Sequence, residues 1–211
     1  MADPSVAALA EVAGAECVCD AGLRASWSGA RLLGPAFPVA GVGGDNLVLH
    51  HAVAAAAPGD VLVVDAQGAP AGHWGEILAV AAHTRGLRGL VIDGAVRDID
   101  ALARRRFPVF ARGISPRGTG KRHPGRLGEP VTAGGVRVSR GDIVVGDSDG
   151  VVVVPAAHAL CAIERARARE AHERELIAKL EAGATTLELY DLPQRADRRS
   201  GMSRVASRER S

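Results

Sequence analysis

The stretch GLRGLVIDGAVRDIDAL, residues 86–102, is the most informative segment of this 211-residue chain. Its centre, residues 90–93, is almost entirely aliphatic, as in strands of a parallel sheet that are buried on both faces. The strand is followed by Gly94 and then by the charged pair Arg97-Asp98. A guanidinium beside a carboxylate at the end of a buried strand is either a local ion pair or a place that holds an anion and a cation together.

Strands and helices alternate on either side of this stretch. A second apolar strand precedes it at residues 60–65, and residues 75–85 between the two strands form a predicted helix that Gly86 ends. Residues 98–106 predict another helix, and residues 108–111 a third strand. The order strand, helix, strand, helix, strand predicts a parallel sheet with right-handed crossovers, and therefore an α/β fold.

The remaining segments predict further elements around this sheet. They are a helical start that breaks into a glycine-rich loop (6–25), a helix capped by Asp45 (to about 57), two strands (136–139 and 142–145) and a hairpin turn (147–150) leading into a strand (151–154). A highly charged helix follows from Pro155 to about Glu181. Its apolar stripe is narrow, which suits an arm lying across a neighbouring surface better than a core helix.

The charge balance separates the body of the chain from its C-terminus. The formal net charge is +2 at pH 7, and residues 194–211 carry six arginines against two acids, a surplus of four, so residues 1–193 sum to −2. A nucleic-acid-binding body normally shows a clustered basic face, so we predict no nucleic-acid partner. The arginine-rich tail is predicted to be disordered.

The composition predicts a cytoplasmic protein without membrane contact. No uncharged apolar run approaches the roughly 20 residues that span a bilayer, and the N-terminus lacks the basic and apolar regions of a signal peptide. The three cysteines, Cys17, Cys19 and Cys161, have the spacing of neither a zinc site nor a disulfide framework.

Two predicted loops leave the carboxyl edge of the sheet, where open α/β folds bind ligands. Residues 67–74 lead into a helix start at residues 75–78, whose free N–H groups and helix dipole favour a carboxylate or phosphate. Residues 94–96 lead to Arg97 and Asp98. Arg97 can pair with an anionic oxygen through its planar fork, and Asp98 can hold Mg²⁺, which accepts few protein ligands and keeps several waters.

Simpler interpretations of these residues stay open. Asp98 can be a helix N-cap with Arg97 as its surface ion-pair partner. Glu76 in a first helical turn is favourable for the helix dipole alone.

A basic loop around Lys121 also permits two interpretations. Lys121 follows RGTG, which lacks the glycine spacing of a nucleotide-binding phosphate loop, and no Ser or Thr follows the lysine. Lys121, Arg117 and His123 either meet a distal carboxylate of a ligand or form a solvated basic loop.

Three segments resemble one known family. They are residues 59–65 (GDVLVVD), 72–78 (GHWGEIL) and 89–98 (GLVIDGAVRD), and RGDIVVGDSDGV at 140–151 is similar to the family's late hairpin. This family joins the regulator of ribonuclease activity A proteins to the 4-hydroxy-4-methyl-2-oxoglutarate and 4-carboxy-4-hydroxy-2-oxoadipate aldolases. The resemblance covers roughly residues 12–190, in the same order and spacing.

The resemblance implies a swivelling β/β/α sandwich with parallel βαβ units and a long C-terminal helical arm. It also implies a homotrimer or homohexamer with active sites between subunits. We therefore predict one aldolase-like domain at residues 1–192, with its C-terminal helix at 155–183, and a disordered basic tail at 193–211.

The resemblance further implies a divalent-metal-dependent aldolase. Such an enzyme cleaves a 4-hydroxy-2-oxo acid to pyruvate and a second 2-oxo acid, and decarboxylates oxaloacetate as a side reaction. Arg97 would hold the keto oxygen that becomes the enolate, Asp98 would bind Mg²⁺ or Mn²⁺, and the Glu76 carboxylate would organise water and proton transfer. The N–H groups that would bind the pyruvyl carboxylate belong to Gly75, Glu76, Ile77 and Leu78.

Acids from a neighbouring subunit would complete the site. Glu173 is the candidate on the C-terminal helix, with Glu170 as the alternative, and Asp20 could match a further acid. The segment around Asp20 departs from the family, because residues 17–19 read CVC where a Thr/Ser-rich stretch is usual. Asp98 and the long arm favour the aldolase branch. A non-catalytic regulator that binds and inhibits an RNA-degrading enzyme is the alternative function.

Overall fold

The computed structural model describes residues 3–193. Two compact units are present, one up to Glu170 and one from Ala171 onward. The strands, all in the first unit, are β1 (Arg24–Ala25), β2 (Leu32–Ala40), β3 (Val61–Asp65), β4 (Gly89–Val96), β5 (Val109–Ile114), β6 (Arg126–Leu127), β7 (Val131–Ala133), β8 (Val136–Val138), β9 (Ile143–Asp147) and β10 (Gly150–Val154). The helices are α1 (Val6–Ala13), α2 (Leu47–Ala55), α3 (Glu76–Thr84), α4 (Ile99–Arg104), α5 (Ala159–Glu181) and α6 (Thr186–Leu189).

One mixed sheet organises the first unit, in the order β1-β5-β4-β3-β2-β9-β10, with β6 paired to β2. Strands β2, β3, β4 and β5 are parallel, and Val63 pairs with Val91 in the middle of β3 and β4. All eight residues of β4 are buried, as its aliphatic sequence predicts. The predicted parallel sheet, the α/β class and the long C-terminal helix are confirmed.

Helices α2, α3 and α4 cover one face of the parallel strands. Leu62, Leu90 and Ile92 point from the sheet into this layer, where they pack with the buried rings of Trp74 and Phe107. Removing each such side chain from water stabilises the fold by about 1.5–3 kcal/mol. This packing fixes the two crossover helices, and with them the loops at the carboxyl edge.

The opposite face is closed by the sheet itself. Alternate residues such as Val61, Val91 and Phe110 meet the β7–β8 hairpin and β9 in a second apolar cluster. The N-terminal segment bridges the two ends of the sheet, because Cys19 N donates to Val151 O at 2.9 Å. The strands therefore form a nearly closed sheet around an aliphatic interior.

A third apolar cluster joins α1 and the first turns of α5 to β9 and β10. Leu9, Val152 and Ala166 lie at its centre. The Ser5 hydroxyl accepts from Ala8 N at 3.2 Å and so caps α1, while Ser5 N donates to the Glu170 carboxylate at 2.7 Å. The start of α5 is thus an integral part of the first unit.

The second unit contains the last turns of α5 and the short helix α6. Thr185 and Glu188 cap α6 reciprocally in a capping box. The backbone and hydroxyl donors of Thr185 lower the pKa of Glu188. Ile177 and Tyr190 are about half exposed here, at 51% and 57%.

Strand β2 is the main element that the sequence analysis missed. It reads LLGPAFPVA, with two prolines that lack N–H donors. The strand changes partner between them: Leu32–Pro35 pair with β9, and Ala36–Ala40 pair with β3. Pro35 ends the ladder with β9. Pro38 lies in the middle of the ladder with β3, but its carbonyl oxygen bonds to Gly128 N on the other side of the strand, so its missing N–H does not face β3.

The predicted helix boundaries need small corrections. The N-cap of α2 is Asn46 rather than Asp45, and the helix ends at Ala55. The N-terminal helix is limited to Val6–Ala13, and α5 begins at Ala159 after a 3₁₀ turn. Differences of a few residues at helix ends are expected, because terminal turns fray or tighten into 3₁₀ geometry.

Helix α4 ends in an unusual way. Arg106 follows its C-cap with φ = 53°, and Phe107 N donates to Leu102 O at 3.1 Å. This left-handed position strongly favours glycine, and an arginine there lowers stability by about 1 kcal/mol relative to glycine.

The remaining predictions concern membrane-spanning helices, the cysteines and the domain boundaries. Within residues 3–193, no helix combines the length and hydrophobicity that crossing a membrane requires. Cys17, Cys19 and Cys161 are free thiols. The single domain at residues 1–192 stays a prediction, and the predicted tail lies, except for Pro193, outside the described residues.

Candidate active site

The two loops that the sequence analysis singled out interlock at the carboxyl edge of β3 and β4. Arg97 N donates to Trp74 O at 2.9 Å, and His73 N donates to Ala95 O at 3.0 Å. The loop that follows β5 joins them, because Gly72 N donates to Arg117 O at 2.8 Å. The start of α3 is therefore held against Arg97 and Asp98 by backbone hydrogen bonds.

Buried side chains support these loops from beneath. The Trp74 ring stacks on Phe107 with centroids 5.9 Å apart. The His73 ring is almost fully buried, accepts from Gly44 N at its Nε2 (3.0 Å) and has its Nδ1 3.3 Å from Ala95 O. This pattern requires the proton on Nδ1, and burial lowers the pKa of His73, so the ring is a neutral structural group.

Asp98 links the two loops through its carboxylate. Its backbone is left-handed, with φ = 60°, and its side chain does not cap α4. Instead, Asp98 Oδ2 accepts from Glu76 N, the first amide of α3, at 3.0 Å. Arg97 Nε lies 3.8 Å from the same oxygen, a long ion pair between side chains that are 45% and 42% exposed. Asp98 thus occupies the N-cap position of α4 and pairs with Arg97, as the simpler interpretation has it, but its carboxylate bonds to the first amide of α3 and not to α4.

This arrangement changes which amides are available for an anion. The N–H group of Glu76 is already bonded to Asp98. The N–H groups of Ile77 and Leu78, in the same first turn, have no partner within their own helix. The N–H groups of Ile77 and Leu78, with the helix dipole behind them, are therefore positioned to receive a ligand, whereas that of Glu76 is not.

A pocket of about 100 Å³ opens beside this helix start. Its lining residues come from four segments of the chain and are Asn46, His50, Gly72, His73, Gly75, Ile77, Leu78, Arg97, Asp98 and Lys121. A wider depression of about 420 Å³ shares Arg97 and Asp98 with it and extends to Ile114 and Pro116. Arg97 and Asp98 thus lie where a compact pocket meets a larger open one.

Asn46 and His50 are pocket residues that the sequence analysis did not select. Asn46 Nδ2 donates to His73 O at 2.9 Å, whereas the buried Asn46 Oδ1 has no protein partner within residues 3–193. Burial lowers the pKa of His50, and the charges of Lys121 and His51 lower it further, so this imidazole is neutral near pH 7. No sequence motif marked them, because Asn46 is the N-cap of α2 and His50 is one of two histidines in an otherwise apolar helix.

Lys121 reaches the pocket because Asp45 anchors its loop. The Asp45 carboxylate accepts from Leu47 N at 3.0 Å, from Arg122 N at 2.7 Å and from His123 N at 3.3 Å. Burial alone raises the pKa of Asp45, but these backbone donors more than offset it, so the pKa lies below its usual value. Arg117 and His123 are not among the pocket residues.

We expect Asp45→Asn to destabilise the protein near neutral pH by about 1–3 kcal/mol, because an amide cannot accept from all three N–H groups. A carboxylate with a lowered pKa stabilises the fold fully above its unfolded pKa, about 4, and this contribution is lost as the pH falls through its folded pKa. The difference in melting temperature between wild type and Asp45→Asn should therefore shrink below about pH 4. Thermal melts from pH 2.5 to 7 test this, and a constant difference would contradict it.

Gly75 provides the space that Asp98 needs. A Cβ at this position would overlap Asp98 Oδ2 and would lie 3.1 Å from Asp98 Cγ and 3.2 Å from Arg97 Cγ. We expect Gly75→Ala to displace the Asp98 carboxylate from Glu76 N. The rate of the expected pyruvate release should fall at least about 100-fold, since small misplacements of a catalytic group have effects of this size. The displaced atoms are side-chain atoms, so the melting temperature should change little.

The matched control is Gly118→Ala, because a Cβ there would meet no atom within 4 Å. Activity measured beside a thermal melt separates the two variants. Equal activities in Gly75→Ala and Gly118→Ala would show that the contact between Gly75 and Asp98 is unimportant.

The other predicted acids lie elsewhere. Glu76 Oε1 bonds to Arg105 Nε of α4 at 2.8 Å, and Glu76 is not among the lining residues of either pocket. Asp20 bonds to Arg112 Nη1 at 3.0 Å, and Arg112 also pairs with Asp93 of β4. A backbone bond from Gly22, then the arginine, lowers the pKa of Asp20.

The two glutamates proposed for the neighbouring subunit are both on α5. Glu170 accepts from Ser5 N of its own chain at 2.7 Å. Glu173 lies in the second unit, beyond Ala171. Their roles in a partner subunit stay predictions.

A divalent ion would have one protein ligand here. Within residues 3–193, no group of three or more His, Cys, Asp or Glu side chains is placed to hold a metal. Asp98 is 42% exposed at the pocket, and its Oδ1 forms no hydrogen bond within the same residues. A free anionic oxygen fits Mg²⁺ or Mn²⁺, since such ions are often held by one or two carboxylates together with water and substrate oxygens.

Comparison with known proteins agrees with this fold. A relative from Halalkalibacterium halodurans, named "Putative 4-hydroxy-4-methyl-2-oxoglutarate aldolase", is 38% identical over 144 residues, which are 68% of this chain and 69% of the relative. Among solved structures, an uncharacterized protein from Pseudomonas syringae pv. tomato has a TM-score of 0.80 and 30% identity, covering 90% of this chain and 89% of its own.

A second solved structure, the RNA-processing inhibitor RraA from Thermus thermophilis, has a TM-score of 0.60 and 27% identity over 65% of this chain and 84% of its own. The family model described as Aldolase/RraA matches residues 6–153, more than half of the chain. The protein with this interlocked pair of loops therefore belongs to the RraA-like family.

Proposed function

We propose that this protein is a divalent-metal-dependent lyase that cleaves a 4-hydroxy-2-oxo acid, such as 4-hydroxy-4-methyl-2-oxoglutarate or 4-carboxy-4-hydroxy-2-oxoadipate, to pyruvate and a second 2-oxo acid. One observation carries the proposal. The Asp98 carboxylate is bonded to the first amide of α3 and lies beside Arg97, at a pocket that also borders Ile77 and Leu78. The Arg97 guanidinium, the Asp98 carboxylate and the free N–H groups of α3 thus border one pocket, whose size suits a three-carbon acid.

The N–H groups of α3 and the side chain of Arg97 have separate roles in the proposed reaction. The N–H groups of Ile77 and Leu78 receive the substrate carboxylate, and the helix dipole favours its negative charge. Arg97 directs its guanidinium at the keto oxygen, where negative charge develops as the carbon–carbon bond breaks. A fixed cation aimed at that oxygen stabilises the transition state more than the ground state.

Asp98 would hold Mg²⁺ or Mn²⁺ through its free oxygen, and the ion would supply Lewis acidity that lowers the energy of the enolate. The enolate of pyruvate also forms when oxaloacetate loses CO₂. We therefore propose oxaloacetate decarboxylation as a side activity of the same residues.

The distal end of the substrate would meet Lys121. This lysine lines the same pocket as Arg97, and its charge helps to keep His50 neutral. The unpaired Oδ1 of Asn46 would accept a hydrogen bond from a substrate hydroxyl. These groups suit a hydroxy acid with a second carboxylate.

Glu76 keeps a proposed role in proton transfer, but only after a side-chain movement. Its carboxylate is bonded to Arg105 outside the pocket, so it must exchange this partner to act on substrate. Ile77 is 79% exposed beside the same site. We propose that a homotrimer or homohexamer covers it and brings in the acids of a neighbouring chain, Glu173, Glu170 or Asp20.

A pyruvate-release assay across a panel of 4-hydroxy-2-oxo acids tests the function. We expect activity with Mg²⁺ or Mn²⁺, loss of activity in EDTA, and recovery when the metal is restored. Substrates with a carboxylate on C4 should be turned over faster than those without one. Activity that survives complete chelation would refute the metal-dependent mechanism.

The second candidate function is regulation of an RNA-degrading enzyme. Similarity to the Thermus RNA-processing inhibitor favours it. Binding of a purified ribonuclease by the chain, with inhibition of RNA cleavage and no pyruvate release from any member of the panel, would select this function over the lyase.

A further inference from the structure

A second polar pocket lies at the amino edge of the parallel strands, the opposite edge from the candidate active site. Its volume is about 390 Å³. Most of its lining residues lie at or just before the first residues of β2, β4 and β5. They are Arg31, Leu32, Leu33, Leu87, Arg88, Arg106, Phe107 and Pro108, and Asp3 and His83 complete the lining.

Positive charge dominates this pocket. Three arginines, Arg31, Arg88 and Arg106, line it together with one carboxylate, Asp3, so these four side chains carry a net charge of +2. Arg31 has only a long contact, 3.9 Å, with Asp147. In the described part of the chain, Arg88 and Arg106 form no ion pair and no side-chain hydrogen bond. Three guanidinium groups around one cavity repel each other, and the single carboxylate of Asp3 balances only one of their three charges.

The backbone at Arg106 gives an independent reason to assign function to this pocket. Arg106 occupies the left-handed position after α4, with φ = 53°, where glycine is favoured. No ion pair in the described chain compensates for the strain. Strained backbone conformations that bring no structural gain concentrate at functional sites. Arg106 has such a conformation, and it lines the basic pocket.

The floor of the pocket is apolar. Leu32, Leu87 and Phe107 are buried beneath the arginines. Guanidinium forks bind phosphate oxygens in pairs, and an apolar floor suits an organic group attached to that phosphate. We propose that this pocket binds a small phosphorylated molecule of the nucleotide class, with its phosphates on Arg31, Arg88 and Arg106. The proposal is independent of the lyase function.

Isothermal titration of the full chain with ADP and with pyrophosphate, at about 0.15 M salt to screen non-specific attraction, tests the proposal. Arg88→Ala should weaken ADP binding about tenfold or more, since charge-assisted hydrogen bonds are lost. Arg106→Gly should weaken binding similarly while raising the melting temperature by about 2–4 °C, because it relieves the left-handed strain. The control, Arg137→Ala, removes an exposed arginine of β8 that does not line the pocket.

A stabilised Arg106→Gly variant with weakened ADP binding supports the proposal, since a purely structural arginine would not separate the two effects. Absence of ADP binding, or equal affinities in wild type, Arg88→Ala and Arg106→Gly, overturns it. Equal affinities for pyrophosphate and ADP overturn the role of the apolar floor. A single-stranded RNA that binds more tightly than ADP and depends on Arg88 overturns the small-molecule assignment.

Discussion

Arg97→Ala is expected to lower kcat for pyruvate release about 10³-fold. The proposed task of Arg97 is to hold the oxygen on which charge develops, and removal of one such preorganised donor lowers rates by about 10²–10³. Its side chain is 45% exposed and its contact with Asp98 is long, so the fold should lose little stability. A steady-state assay beside a thermal melt measures both effects.

Arg97→Lys refines this prediction, because it keeps the charge and removes the planar fork. It should recover part of kcat and leave the substrate poorly oriented. The matched control is Arg117→Ala, an arginine of the neighbouring loop whose backbone bonds Gly72 but whose side chain lines neither pocket. If Arg117→Ala loses as much activity as Arg97→Ala, the guanidinium of Arg97 has no special role.

The part of the fold that the sequence predicted is the part specified by local patterns. Aliphatic runs at β3 and β4, ended by glycine, require no long-range information to be recognised as buried parallel strands. Strand β2 was not recognisable in the same way. Pro35 is acceptable because the ladder with β9, more than 100 residues later, ends there, and Pro38 is acceptable because its ring nitrogen faces away from β3.

The same distinction applies to the candidate site. The adjacency of residues 75–78 to Arg97 and Asp98 followed from the order of the crossovers, and the structure places them together. The hydrogen-bond partner of each carboxylate could not be predicted from that order. Asp98 bonds to Glu76 N, and the Glu76 side chain bonds to Arg105. Both contacts depend on how α3 packs against α4. Asn46 enters the pocket from a segment with no motif of its own.

Two substitutions of Asp98 separate its two tasks. The carboxylate accepts a hydrogen bond from Glu76 N and, in the proposed mechanism, holds the divalent ion with its other oxygen. Asp98→Asn keeps an acceptor for Glu76 N and a residue that tolerates φ = 60°, but removes the negative charge. Asp98→Ala removes the acceptor as well and places alanine in a left-handed conformation.

We therefore expect both variants to lose metal-dependent pyruvate release about 10³-fold or more, and to bind Mn²⁺ at least about tenfold more weakly, because neither side chain offers an anionic oxygen. The melting temperature should distinguish the two variants. Asp98→Asn should melt close to wild type, whereas Asp98→Ala should melt about 3–6 °C lower, since a lost cap and a strained backbone together amount to about 1–2 kcal/mol. Titration with Mn²⁺ followed by a thermal melt measures the two effects on one sample. Full activity of Asp98→Asn with Mg²⁺ would leave Asp98 only the task of fixing α3, and the ion would need another ligand.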